Sequence, residues 1–459
     1  MTTLLERLRT LVGDANVITG SALAQRACSY WDPSPLKARA LVRPGSTKEV
    51  SAIMRLCDEL EQSVVTHGGL TGCVEGTVVT PNELVLSLER MNVIEDIDHV
   101  GRTATVQAGV VLQQLQETVE NEDLYFPLDL GARGSCTIGG NISTNAGGIN
   151  VIRYGMMREL VLGLEAVLAD GTVISSMNRM LKNNAGYDLK QLFIGTEGTL
   201  GIVTRAVLRL KEAPASDNSA LVALERFDAV TALLKFLERR LGGHLSAYEV
   251  MWGEYFHAVT EPGWHRAPMS RDFPFYVVTE ANGTDEEADS AQFMAALETA
   301  MEEGLIVDAV VPKSQTERDA LWSIREDFEA ITESQPTFLY DVSLPIKDMD
   351  QYIQTVKKGL KQRWPDSTCY VLGHIGDGNL HLFVNPGFGD HSLHQEADQE
   401  VYGPLIPIGG SVSAEHGIGL EKKAWLGTSR STEEMQLMRR LKRSLDPKNL
   451  LNPGMVFDL

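Results

Sequence analysis

Cysteine is scarce in this chain, with five among 459 residues. Cys28, Cys57, Cys73, Cys136 and Cys369 are scattered, odd in number and free of any C-x-x-C pair. That pattern argues against a disulfide framework or a thiolate zinc site and points to a reducing compartment. Basic residues are also in deficit: 41 Lys and Arg stand against 62 Asp and Glu, a formal charge of -21. Such a field repels nucleic-acid phosphates and anionic lipid at long range, so nucleic acid is not an expected partner. An anionic cofactor or substrate must instead be held by local donors. No run approaches the roughly 18 apolar residues needed to cross a bilayer, so the expectation is a cytoplasmic protein without a span, at most peripheral to an inner membrane. Neither G-x-G-x-x-G at the start of a βαβ unit nor G-x-x-x-x-G-K-[ST] is present, which removes the usual nicotinamide and nucleoside-triphosphate signatures. Internal repeats and low-complexity tracts are lacking as well.

What is present is an ordinary globular composition, 43% hydrophobic, with 41 glycines that imply many tight turns. The length exceeds what one core usually serves, so two or three units are expected. Leu4, Leu5, Leu8, Leu11 and Val12 share one face of an N-terminal helix. From about residue 38 to 210 short β-rich runs alternate with glycine clusters and helical stretches such as STKEVSAIMRLCDELEQ, where Ser46 or Thr47 can cap the first turn. KEAPASDN, near 211–218, marks a boundary. Beyond it, FDAVTALLKFLERRLGG, EEADSAQFMAALETAMEEG and SQTERDALWSIREDFEAIT read as helices, and FPFYVVTEA, TFLYDVSLP and TCYVLGHI as strands. TEEMQLMRRLKRSLDPKNLLNPGM reads as a terminal amphipathic helix and turn.

Two segments are too rich in glycine for ordinary turns. VVTHGGLTGCVEGT carries Gly68, Gly69, Thr71, Gly72 and Gly76, and LDLGARGSCTIGGNISTNAGG carries Gly131, Gly134, Gly139, Gly140, Gly147 and Gly148 among small polar residues. Backbone N–H groups there can converge on an anion such as a diphosphate. Later in the chain, His374 and His381 flank a Gly-Asp-Gly-Asn turn between apolar strands, so a hairpin can pair them. Two imidazoles and a carboxylate suit a divalent metal, but H-x₆-H is no recognised ligand spacing, and on spacing alone the pair reads as structural turn histidines. Glu415 and His416 are adjacent and on a regular strand would face opposite ways; Gly417 and Gly419 make a bend feasible. Arg325 offers a fork suited to a carboxylate, although a helix-surface pair with Glu329, four residues on, accounts for it as well.

In its motifs VVTHGGLTG, TIGGNISTNAGG, GLEAVLADGTVI, NNAGYDLKQLFIGTEGTLGIVT, GHIGDGNLH, SAEHGIG and DPKNLLNPG, the chain resembles FAD-linked oxidases of the vanillyl alcohol oxidase type. The likeness is to the branch of D-lactate and D-2-hydroxyglutarate dehydrogenases and the glycolate oxidase D subunit, and it covers nearly the whole chain. The resemblance implies an α+β fold: a two-subdomain FAD-binding domain over 1–212, a substrate (cap) domain built on an antiparallel sheet over 213–410, and a C-terminal segment, 411–459, returning to the FAD domain. It implies FAD contacts at Gly68, Gly69, Thr71, Gly72, Thr137, Gly139, Gly140, Asn141, Asn145, Gly147, Gly198, Ile202 and Asn452, with the cofactor held noncovalently despite His67 beside the first loop. His374, His381 and Glu415 become metal ligands, with zinc foremost. Arg325 becomes the substrate clamp, with Tyr340 as its neighbour. His416 becomes the base that takes the 2-hydroxyl proton as hydride passes to flavin N5.

The partners so implied are a small D-2-hydroxy acid and an electron acceptor such as an electron-transfer flavoprotein, quinone or cytochrome, with a homodimer as the assembly. Enzymes specific for D-2-hydroxyglutarate usually carry Lys where this chain has Leu339, Asn where it has Phe383 and Thr where it has Glu329. Burying a second carboxylate without partners is costly, so these departures favour a D-lactate-like monocarboxylate. The competing readings are a flavin oxidase of another alcohol that uses O₂, and an FAD-carrying subunit of a glycolate oxidase-like complex.

Overall fold

Three parallel strands, in the order Ala40–Val42, Leu84–Ser87, Val64–His67, make up a four-stranded sheet with the antiparallel edge strand Val17–Ile18 beside the first of them. The computed structural model that shows this describes residues 3–333 and 336–459. Every residue of the strands Ala40–Val42 and Leu84–Ser87 is buried, as expected for parallel strands covered on both faces. The helices Leu4–Val12 and Thr47–Leu60 pack against this sheet; the first buries Leu4, Leu8 and Val12. Ser46 caps the second, its Oγ accepting from the Glu49 N–H, in keeping with the sequence expectation. A five-stranded antiparallel sheet follows, in the order Ile94–Asp98, Thr103–Gln107, Ile202–Arg209, Val161–Val167, Val173–Ser176. It shares a core with the helices Leu112–Glu120 and Ile138–Thr144.

These two sheets belong to one compact unit made of residues 1–147, 155–213 and 415–459. The last of these segments is tied in by the helix Thr432–Leu445 and the turn after it. Buried Lys442 donates from Nζ to Thr199 O, Leu451 O and Asp446 Oδ2 at 2.9, 2.7 and 2.6 Å. The Asp446 carboxylate also accepts from the backbone N–H groups of Leu450 and Leu451. A buried ammonium needs such full compensation. Leu451 then bridges in parallel to Val64, so the chain's end extends the first sheet.

The second unit comprises residues 148–154 and 214–414. Its seven antiparallel strands run in the order Asp308–Val310, Ser216–Leu224, Phe275–Gly283, Leu245–Trp252, Thr368–His374, Asn379–Asn385, Phe338–Ser343. One face carries an apolar core built from Leu221, Ala223, Met251, Tyr276, Val278, Leu372 and Phe383, packed against the helices Gly253–Val259, Gln315–Glu326 and Glu329–Thr332. The sequence reading of one helix over 314–332 is corrected here: the helix stops at Glu326. Asp327 takes an extended conformation, its Oδ2 lies 2.8 Å from His265 Nε2, and its Oδ1 accepts from the Glu329 N–H. The side chain of Asp327 therefore competes with helix continuation, as short acidic side chains do.

Among the described residues no helix is long and apolar enough to cross a membrane.

Candidate active site

The two glycine loops meet backbone to backbone in the first unit. A Cβ on Gly69 would lie 2.2 Å from Ser135 O and 2.9 Å from Cys136 Cα, and one on Gly68 would lie 2.7 Å from Thr137 Oγ1. Only glycine permits that approach. Around the junction, Thr137 Oγ1 and Thr66 Oγ1 are buried without hydrogen-bond partners, and the side chain of Asn141 meets only the Cys136 thiol, a weak acceptor. Buried polar atoms are rarely left so, and a cluster of them lining a glycine cradle fits a polar group that completes the site, as an FAD diphosphate would.

Asn452 ties the surrounding pieces together. Its N–H donates to Val64 O, its Oδ1 accepts from Thr66 N–H at 3.0 Å, and its Nδ2 donates to Glu197 O at 2.7 Å. Leu70, Asn145, Glu197 and Asn452 all adopt left-handed backbone, unusual for residues with side chains and common near functional sites. Asn145 ends the helix 138–144, and its Oδ1 accepts from Arg158 N–H. Gly198 has φ +73 and a prospective Cβ 3.0 Å from Asn452 Nδ2. Ile202 is 1% exposed within the core. Gly72 has open space around it, and Thr71 O accepts from Trp31 Nε1. Gly139 and Gly140 open the helix 138–144, and Gly147 is the last residue of its segment of this unit.

His67 ends the strand that feeds the first loop, with Nε2 2.9 Å from Thr77 O. Burial pushes its pKa down to about 4. The neutral ring is thus the folded form, while an unfolded chain protonates near pH 6.5. Stability is full above that value and falls as pH drops toward 4, by about 3 kcal/mol. Urea midpoints measured from pH 7 to 4.5 are expected to fall less in His67→Gln than in the native chain; equal slopes would refute this.

In the second unit the candidate residues lie on one sheet face. Glu249 pairs in register with His374, and His381 pairs with both Leu372 and Asp341. The His374 and His381 rings stand 5.3 Å apart at 85°, so the hairpin expected from the Gly-Asp-Gly-Asn turn brings them together. His374 Nδ1 donates to Glu249 Oε1 at 2.7 Å, and Arg325 Nε donates to Glu249 Oε2 at 3.0 Å. Burial raises the Glu249 pKa, but His374 and Arg325 outweigh it and hold the carboxylate below its usual range. Arg325 therefore pairs with Glu249 instead of Glu329. Its Nη2 lies 2.8 Å from Glu249 Oε2 but out of line for a hydrogen bond.

Asp341 is fully buried. Its Oδ1 accepts from Asn379 Nδ2 at 2.8 Å, and its Oδ2 accepts from Ser413 Oγ and from the Ala414 N–H at 3.2 and 3.1 Å. It thereby fixes the chain immediately before Glu415. Within this unit, His374 stands on Glu249, and His381 Nδ1 lies 3.9 Å from Asp341 Oδ1. Two imidazoles with carboxylates beside them fit a divalent metal. Past His416, Gly417 has φ +87, and the N–H groups of Ile418 and Gly419 donate to Glu197 Oε1 and Oε2 at 2.7 and 2.8 Å. The bend that glycine permits is thus pinned by Glu197.

Tyr340 does not join this group. Strand alternation turns it away from Asp341, and its hydroxyl donates to Asp398 Oδ1 at 3.0 Å; the expectation that it neighbours Arg325 is corrected. Glu249, Asp341, Asn379 and Glu197 escaped sequence reasoning. The one available signal was a lone carboxylate inside the fully buried LSAYEVMW strand.

Residues 213–456 match the C-terminal domain of FAD linked oxidases, and residues 38–176 match an FAD binding domain. A D-2-hydroxyglutarate dehydrogenase of Xanthomonas citri pv. viticola is 43% identical over 434 residues, covering 93% of this chain and 90% of that protein. The mitochondrial D-2-hydroxyglutarate dehydrogenase of Danio rerio is 39% identical over 414 residues, covering 90% and 77%. In fold, the chain resembles an alkyldihydroxyacetonephosphate synthase, with a TM-score of 0.76, 16% identity, and coverage of 98% of this chain and 85% of that one. It also resembles a p-cresol methylhydroxylase, with a TM-score of 0.76, 17% identity, and coverage of 99% and 96%. With both domains matched in order and such relatives along almost its whole length, this chain belongs to the FAD-linked oxidase family.

Proposed function

We propose that the protein oxidises a D-2-hydroxy acid to the 2-oxo acid, with noncovalently held FAD as hydride acceptor; D-2-hydroxyglutarate is the acid its relatives' names supply. The observation that carries this reading is the pairing of His374 with His381 beside the buried carboxylates of Glu249 and Asp341 in a member of a flavin-dependent family. When bound, FAD supplies the hydride acceptor, and a divalent metal, zinc foremost, supplies Lewis acidity. Gly68, Gly69, Thr137, Gly139, Gly140 and Asn141 would hold the FAD diphosphate, and His374, His381 and Glu415 the metal. Arg325 orients the substrate carboxylate through the N–H groups that Glu249 leaves unbonded. His416 takes the proton from the substrate's 2-hydroxyl oxygen onto its imidazole nitrogen.

The test is anaerobic flavin reduction across D- and L-2-hydroxy acids, alditols and phenols, before and after chelation. D-2-hydroxy acids alone should bleach the flavin, chelation should abolish this, and little peroxide should form in air if electrons pass to a protein or quinone acceptor. Bleaching by alditols or phenols instead would overturn the reading.

A second reading, a D-lactate-like substrate, is favoured by one observation. Leu339 and Phe383 face each other two pairs beyond Asp341 and His381, with Tyr370 next in register and the Phe328 ring tilted at 33° with its centroid 5.0 Å from that of Phe383. A distal carboxylate among such side chains lacks partners. On this reading D-lactate outperforms D-2-hydroxyglutarate in kcat/KM, and Leu339→Lys with Phe383→Asn shifts the ratio toward the diacid by about tenfold or more.

A further inference from the structure

We infer that Glu249 is a positioning residue that couples the metal ligand His374 to the carboxylate-binding Arg325, an inference that rests on the metal-assisted reading above. Glu249 is 1% exposed in a strand, Leu245–Trp252, that is buried throughout. Its two oxygens are divided between two partners. Oε1 accepts from His374 Nδ1 at 2.7 Å, and Oε2 accepts from Arg325 Nε at 3.0 Å, with Nη2 at 2.8 Å.

An ion pair that served packing alone would need only Arg325. The second oxygen does something further: by accepting a hydrogen bond from Nδ1–H it fixes the tautomer of His374, leaves Nε2 as the ligand atom, and makes that nitrogen a better donor. The first interaction fixes the guanidinium's rotation and so the direction of its remaining N–H groups. One carboxylate thus sets the spacing between the group that would hold the hydroxyl end of the substrate and the group that would hold its carboxylate. The register Glu249 opposite His374 builds this spacing into the sheet, and Arg325 is delivered from the last turn of the helix Gln315–Glu326 above it.

The test uses the FAD-loaded full chain with Glu249→Gln and Glu249→Asp. Zinc affinity is measured by chelator competition, FAD content by absorbance, and KM and kcat with D-lactate and D-2-hydroxyglutarate. Glu249→Gln should weaken zinc binding about 10- to 100-fold and raise KM for the hydroxy acid at least as much, with FAD content unchanged. Should the Gln variant fail to fold, Glu249→Asp carries the test, since it keeps the charge but is too short to reach both partners; at least one of the two constants must then move about tenfold. A folded variant with a raised KM but native zinc affinity would reduce Glu249 to a packing ion pair and overturn the inference, and so would native values of both constants. A native protein that binds no zinc, with His374→Ala equally active, would sink the metal reading itself, which keeps the two failures distinct.

Discussion

Replacing His416 with alanine is expected to leave FAD content intact while slowing flavin reduction by a D-2-hydroxy acid about 100-fold or more. The magnitude is that of removing a positioned general base. It is argued from place: His416 directly follows Glu415 and precedes Gly417, whose φ of +87 bends the backbone. The loop that carries the ring is held by Glu197, which accepts from the Ile418 and Gly419 N–H groups. Single-turnover reduction followed by stopped flow checks it, with metal and flavin content measured on the same sample. Reduction at a near-native rate would remove His416 as the base, and loss of zinc would recast it as a ligand. An acid limb that disappears from the pH–rate profile of the variant would strengthen the assignment.

Replacing Gly69 with alanine should give a folded protein nearly devoid of flavin. The added methyl would sit 2.2 Å from Ser135 O and 2.9 Å from Cys136 Cα, and both obstacles are backbone, so neither can swing aside. The two loops must separate, and the donors of one no longer face those of the other. Overpacking of this kind costs about 1–3 kcal/mol even where side chains can adjust, which corresponds to roughly five- to more than a hundredfold in FAD affinity. Gly131→Ala, in the second loop but with nothing within 4 Å of its prospective Cβ, is the control and should stay yellow. Equal flavin content in the two variants would show that the loop junction does not govern cofactor binding.

Much of the first unit was legible because its signals are local. Ser46 capping, the Leu4–Leu8–Val12 stripe and the glycine loops each depend on residues within a few positions of one another, and all three appear where sequence reasoning put them. The hairpin joining His374 to His381 was readable for the same reason, since the Gly-Asp-Gly-Asn turn dictates which strands pair. Arg325 shows the limit. Its spacing to Glu329 suggested a helix-surface pair, but the helix ends at Glu326 and the guanidinium turns inward to Glu249, 76 residues away in sequence. Tyr340 shows it again: one residue of strand alternation separates the buried Tyr340–Asp398 pair from the face that carries Asp341.

The sequence by itself determined the mixed α+β class of the fold, the two glycine-rich loops and the hairpin that pairs His374 with His381, because turn chemistry and short-range periodicity are written in consecutive residues. Only the tertiary structure decided which carboxylates serve those histidines. Glu249 and Asp341 each look like an isolated acid in an apolar strand, and what they do depends on cross-strand register. A shift of one residue would turn each to the opposite face, and that register is set by the summed packing of seven strands, which no local stretch encodes.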